Sequence, residues 1–403
     1  MLSGVNAITG SLASFLNTET GAVLSKAVTL TTTGDFVNRG VIAVEGDLRV
    51  TAGTKIENAG AVQALRAYLT APTILSLGTG DMRLTSLLQV TASSAFTNNG
   101  LIGTTGSFIA NTPTFTNAGS ITGEVALTAT GDRITNDGTL VSARNIALDG
   151  AVSVINRGSI GSYLTASLTS AGYVENRGEL MADTTLTVNG GAFDNIGAAA
   201  QVRALTGAIN SASVLNSGRI LLTSNFTRSG NINAFRNDGL FATAGSISIT
   251  GRDAASSITM GTDGVLVAGL QANDPTQALI AGRAVTLNAA NLSFSGQIAA
   301  GGNIAITGGD ALTLNGKIQT ATGGLTLTSA DLRLASASDI YAGGNSVFNA
   351  ATRLRNEGKL VIGGRLDLLS TAGSLTNSGG MVIGSTYRFD IAGAFSNTGT
   401  FAS

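Results

Sequence analysis

Asn38, Asn58, Asn98, Asn117, Asn136, Asn156, Asn176, Asn195, Asn216, Asn237, Asn356, Asn377 and Asn397 share one setting, apolar-x-Asn-x-Gly-x-apolar, at intervals of about 20 residues. A primary amide both donates and accepts hydrogen bonds. A row of equally spaced amides therefore suits one of two tasks: holding a polar ligand along a surface, or bonding amide to amide in an internal ladder. The positions flanking each Asn at the inward alternation are apolar, and the spacing follows the repeat itself, so the ladder is the expected task. Gly two residues later fits a sharp corner, because it adopts positive φ without steric cost. Asn can also bond the local backbone there.

Other chemistry finds few residues to carry it. Among 403 residues there is no His and no Cys. That removes the commonest general base, Ser-His and Cys-His nucleophiles, the usual zinc sites and any disulfide framework. A β-strand-rich enzyme acting on polysaccharides would need paired carboxylates, or calcium-binding Asp beside a basic residue. The acidic residues are thinly spread instead. Gly301-Gly302-Asn303 and Gly323-Gly324-Leu325 do not open helices, so they are no phosphate loops. The residue between Asn and Gly points outward and includes Arg39, Asp137, Arg157, Arg177, Asp238 and Glu357. Asp137 and Arg157 are expected to meet on adjacent coils, with Arg177 next, as a solvated surface pair. A net charge of −1, with basic residues scattered singly, provides no field for DNA or other nucleic acid. Neither a catalytic residue nor a metal or cofactor site is expected.

The elements that position the row follow from alternation. Around Asn176, the inward residues are Val174, Leu180, Leu186 and Val188. The same offsets give Ile42, Leu48 and Val50 after Gly40, then Leu140, Ile146 and Leu148 after Gly138. They recur as Phe241, Ile247 and Ile249, as Leu360, Leu366 and Leu368, and as Met381, Tyr387 and Phe389. Alternation by two over short runs is strand periodicity. About three short strands per 20 residues make one coil of a parallel β-helix, a solenoid grown by stacking. About 19 coils are expected, roughly 90 Å of stacked strands at one strand spacing each. Gly78-Thr79-Gly80-Asp81-Met82 fills the gap between Asn58 and Asn98, and Asn17 opens a coil with an insertion before Gly21. Gly261-Thr262-Asp263-Gly264 departs further. The expected organisation is regular coils over 1–251, an irregular coil or lateral loop over 252–292 with a turn at Asn273-Asp274-Pro275-Thr276, and a continuation over 293–403. Loops off a scaffold often carry specificity, so 252–292 is a candidate binding segment.

Phe36-Val37-Asn38-Arg39-Gly40-Val41-Ile42 and its copies, each followed by an alternating apolar run, resemble the repeats of filamentous haemagglutinins and related two-partner secretion exoproteins, including the stalks of contact-dependent inhibition toxins. The resemblance covers about 36–250 and 354–401 well. It implies a right-handed parallel β-helix, export across a Gram-negative outer membrane through a dedicated transporter partner, and a secreted or cell-surface location. It also implies attachment to a receptor or glycan on a host or neighbouring cell. Val174-Glu175-Asn176 lies in repeat register and is taken as coil. No export signal is read at Met1-Leu2-Ser3-Gly4. Pro72, Pro113 and Pro275 lie outside any Asn-Pro-Asn-Gly motif of a secretion domain, and Phe401-Ala402-Ser403 falls within a coil. The chain is therefore expected to be a segment of a larger exoprotein or a truncated gene product. The leading expectation is a non-catalytic adhesive rod segment; the alternatives are a toxin stalk and a polysaccharide-active β-helix enzyme.

Overall fold

The computed structural model describes residues 1–4, 6–229, 232–251, 255–270, 278–370 and 373–403. The chain divides into two compact units, Met1–Gly191 and Ala192–Ser403. The regular elements of both are β-strands, most of them three to six residues long, separated by tight corners.

In the first unit, strand Asn145–Asn156 runs parallel to Ala126–Asn136 on one side and to Thr165–Asn176 on the other. Its partners come from the preceding and following turns of the chain. Asn136 faces Asn156, which faces Asn176, and Ile134, Val154 and Val174 align two positions earlier. Strand Ser159–Ser162 repeats this a corner later, between Thr139–Ser142 and Glu179–Asn195. Each coil thus hydrogen-bonds the next at the parallel strand spacing of about 4.8 Å. Successive coils also bury one another's alternate side chains. Val174, Leu180, Leu186 and Val188 are fully buried, as are Leu140, Ile146 and Leu148. Phe96, Phe108 and Phe115 pack together in this core, with ring centroids 5.4–6.3 Å apart.

The second unit is built the same way. Leu240–Thr243, Val265–Ala268, Gln297–Ala300 and Lys317–Thr320 stack in parallel, each pairing with the next. Phe241, Ile247, Ile249, Leu360, Leu366 and Leu368 line its core. Tyr387 keeps its expected inward place, in register with the buried Leu366 and packed against Phe389 and Phe401, yet it is 48 % exposed. Both units are parallel β-solenoid, the fold class that the repeat predicts.

Candidate functional site

The strand that ends each coil delivers its Asn to the same inward position. In the first unit, Asn17 Nδ2 donates to Asn38 Oδ1 and Asn38 Nδ2 to Asn58 Oδ1, both at 2.8 Å. A second run passes from Asn98 through Asn117, Asn136 and Asn156 to Asn176 at 2.7–2.8 Å. Between the runs stands Ser76, paired in register with Asn58 and Asn98. Its Oγ is buried with no hydrogen-bond partner. In the second unit, Asn195, Asn216 and Asn237 form one run at 2.7 Å, and Asn356, Asn377 and Asn397 another at 2.6–2.8 Å. Between Asn237 and Asn356 the column is apolar: Met260, Phe294, Leu314 and Leu334 occupy it in turn. Asn356 Oδ1 is buried and unpartnered, because Leu334 on the preceding coil has no donor to give it.

The remaining amide hydrogen closes the corner. Asn98 Nδ2 also reaches the Gly100 carbonyl at 3.1 Å, and Asn136 Nδ2 those of Gly138 and Ser159, each at 3.1 Å. All of the Asn from Asn38 to Asn377 in the repeat are buried, so these amides face the interior.

The glycines answer to a different constraint from the one expected. Among the motif glycines only Gly197 has a positive φ, 99°. The others are held by close approach: a Cβ on Gly158 would lie 2.0 Å from the Gly138 carbonyl oxygen, and one on Gly178 1.9 Å from that of Gly158. The corner glycines stack on one another too tightly for a side chain.

Outward positions carry the charge. Arg157 Nη1 meets Asp137 at 3.2 Å across adjacent coils. Arg177 does not extend that pair; it binds Glu175 two residues away on its own coil, at 2.6 Å. Asp238 pairs with Arg236, and Glu357 with Arg333. The Arg333 guanidinium holds the Glu357 carboxyl below its ordinary range. At Asp47, burial pushes the carboxyl up, but Arg66 and Arg49 together outweigh it and hold it low. Ser11, Thr31, Thr51, Thr70 and Thr91 form an outward file, one residue per coil.

Of the candidate segment 252–292, residues 252–254 and 271–277 lie outside the described residues, including the expected turn at Asn273–Thr276. The described part holds coil strands Ser257–Met260, Val265–Ala268 and Val285–Asn288, joined into the parallel stack. Leu270 and Leu279 form an isolated antiparallel bridge. One residue escaped sequence reasoning altogether. Arg228 occupies an inward position, in register with Ile249. Burial lowers its guanidinium, and Nη2 reaches the Ser211 carbonyl at 3.2 Å. The Phe226-x-Arg228 alternation was the available signal.

Among the described residues, no three His, Cys, Asp or Glu side chains gather into a group able to hold a metal ion. No curated protein and no solved structure matches the chain. Residues 2–100, 78–178 and 320–399 match the haemagglutinin repeat. With that match spanning more than half of its length, and with the coil that its Asn-x-Gly period predicts, the chain belongs to the haemagglutinin repeat family.

Proposed function

We propose that this chain is a non-catalytic structural and adhesive segment of a secreted or surface-displayed bacterial exoprotein. In this role it presents outward side chains at fixed spacing to a cell or surface. The observation that supports this most directly is the uniform parallel register. Coil after coil returns the same backbone position to the same face, so outward residues line up in files such as Ser11 to Thr91. A rigid lattice of that kind favours many weak, equivalent contacts, which multiply when a long segment meets a surface. Membership of the haemagglutinin repeat family supports export through a two-partner system, with an outer-membrane transporter as one partner and a cell-surface receptor or glycan as the other. The buried amide column serves the fold in this reading: it fixes the height of each coil and so the pitch of the files outside.

The experiment is retention of the purified, fluorescently labelled chain on cultured epithelial cells and on bacterial cells, as a function of concentration. Saturable retention on either is expected. Retention no greater than that of an unrelated protein of equal size on both would overturn the adhesive role.

A further inference from the structure

The first unit carries a groove that no part of the motif foretells, with a volume of about 710 Å³. It spans coils rather than lying within one. One bank is an outward file of strand residues, Gln63, Arg83, Gly103 and Thr122, paired coil to coil. The other is the corner that follows those strands: Glu45, Leu65, Thr85, Thr105 and Glu124. Five successive coils contribute, so the groove runs along the stacking direction. Its floor opens at Gly103, where the outward file has no side chain.

The volume lies within the range of small-molecule sites, roughly 300–1,000 Å³. Its chemistry is selective. Gln63 supplies an amide, and Thr85, Thr105 and Thr122 supply hydroxyls. Leu65 and Leu101 are 39 % and 41 % exposed and give it apolar patches. Arg83 is already engaged by Asp81, at 2.9 Å. Glu45 and Glu124, at opposite ends, take part in no ion pair among the described residues. With Asp81, three carboxylates then stand against one guanidinium, so the groove repels polyanions. A ligand must be extended, rich in hydroxyls, partly apolar and not anionic. Linear glycans fit this description. Each pyranose has an apolar C–H face and a hydroxyl rim, and an extended glycan advances by about one strand spacing per sugar, which places one sugar on each coil.

We infer that the groove bounded by Glu45, Gln63, Gly103 and Glu124 binds a linear glycan of neutral or amino-sugar units lying along the coil stack. This rests on the adhesive role proposed above and names its ligand class.

Gly103 gives the decisive variant. A Cβ there meets only the Thr122 hydroxyl, at 3.3 Å, and φ is not positive, so a side chain is accommodated by a small shift of Thr122. Gly103→Gln would fill the floor. Gly161→Gln is the matched control, at the same strand position outside the groove, where a Cβ meets nothing closer than 3.9 Å. The probes are β-1,4-linked glucose, glucosamine and N-acetylglucosamine oligomers of two to six units, with a sulfated oligosaccharide for comparison. Binding is measured by titration calorimetry on the full chain, alongside the melting temperature. The expected result is affinity that rises with length up to about five units, a loss of at least tenfold in Gly103→Gln with an unchanged melting temperature, and no loss in Gly161→Gln. If Gly103→Gln melts lower, Gln63→Ala and Glu124→Gln replace it, and tighter sulfated-glycan binding in Glu124→Gln is then expected.

Equal binding by wild type and groove variants, preferential binding of the sulfated oligomer, or no binding of any oligomer would overturn the groove assignment. Cell retention that persists without oligomer binding leaves adhesion standing and overturns only the groove. Oligomer binding without cell retention does the reverse.

Discussion

The Asn156 amide uses both of its N–H donors and its oxygen on the two neighbouring coils. It accepts from Asn136 at 2.8 Å and donates to Asn176 Oδ1 at 2.7 Å and to the Glu179 carbonyl at 2.8 Å. Asn156→Asp keeps the shape but replaces a double donor with an acceptor. An ionised carboxylate would face Asn176 Oδ1 and a carbonyl with nothing to give either. Leaving an uncompensated charge buried in this way costs about 3–5 kcal/mol, so a clear fall in melting temperature is expected near neutral pH. The penalty should shrink as the pH falls, because the protonated carboxyl regains one donor. A variant as stable as wild type at pH 7 would mean that the column adds nothing to stability. Ser76 permits the opposite test. Asn17 shows that an Asn fits a corner whose Gly comes four residues later, as at Asn17 and Gly21, and Ser76 and Gly80 have that same offset. Ser76→Asn should join the two amide runs of the first unit and replace a buried hydroxyl that has no partner. A gain of about 1 kcal/mol is expected, read from the denaturation midpoint. A lower midpoint would show that this corner lacks room for the amide.

The coil, as an element, is held as much by what its corners exclude as by what its core buries. Gly158→Ala places a methyl 2.0 Å from the Gly138 carbonyl oxygen. Neither backbone can yield without disturbing the strand pairing on both sides, and overpacking of this kind costs about 3 kcal/mol or more. Gly161→Ala, on an open strand face, is expected to be neutral or to stabilise by about 0.5 kcal/mol through the unfolded state. Equal effects in the two variants would remove close approach as the reason for the corner glycines. The inward positions were legible in the sequence because a strand's period is local: Val174, Leu180, Leu186 and Val188 follow from counting. The amide row was equally open, since its period is the coil itself. The reason for the glycines was not legible, because the clashing atom belongs to a residue about 20 positions earlier. Nor was the apolar stretch of the column. Leu314-Asn315-Gly316 imitates the motif, but register sets Leu314, not Asn315, in line with Leu334 and the amides beyond. The groove at Gly103 needs five coils aligned before it exists, and no single repeat contains it.

Over the whole molecule, what titrates is as restricted as what reacts. With no His and no Cys in 403 residues, no side chain has an ordinary pKa between about 5 and 8. Protons can then move between folded and unfolded states chiefly at the two ends of the scale. On the acid side, Glu357 and Asp47 have folded values below their ordinary ones. A carboxyl of that kind contributes stability above its unfolded pKa and loses it as the pH falls through the folded value. On the alkaline side, the Glu57 carboxylate raises the Lys55 amine above its ordinary 10.5. That contribution is present below the unfolded value and disappears as the pH rises through the folded one. The melting temperature is therefore expected to be level from about pH 6 to 9 and to fall below about pH 4. Arg333→Gln should flatten part of the acid limb, since it removes the guanidinium that depresses Glu357, and should leave the plateau untouched. Scanning calorimetry across this range tests both statements. A slope within the plateau would require a carboxyl or amine displaced by several pH units into it, and the amide column and Arg228 would be the first places to look for its partner.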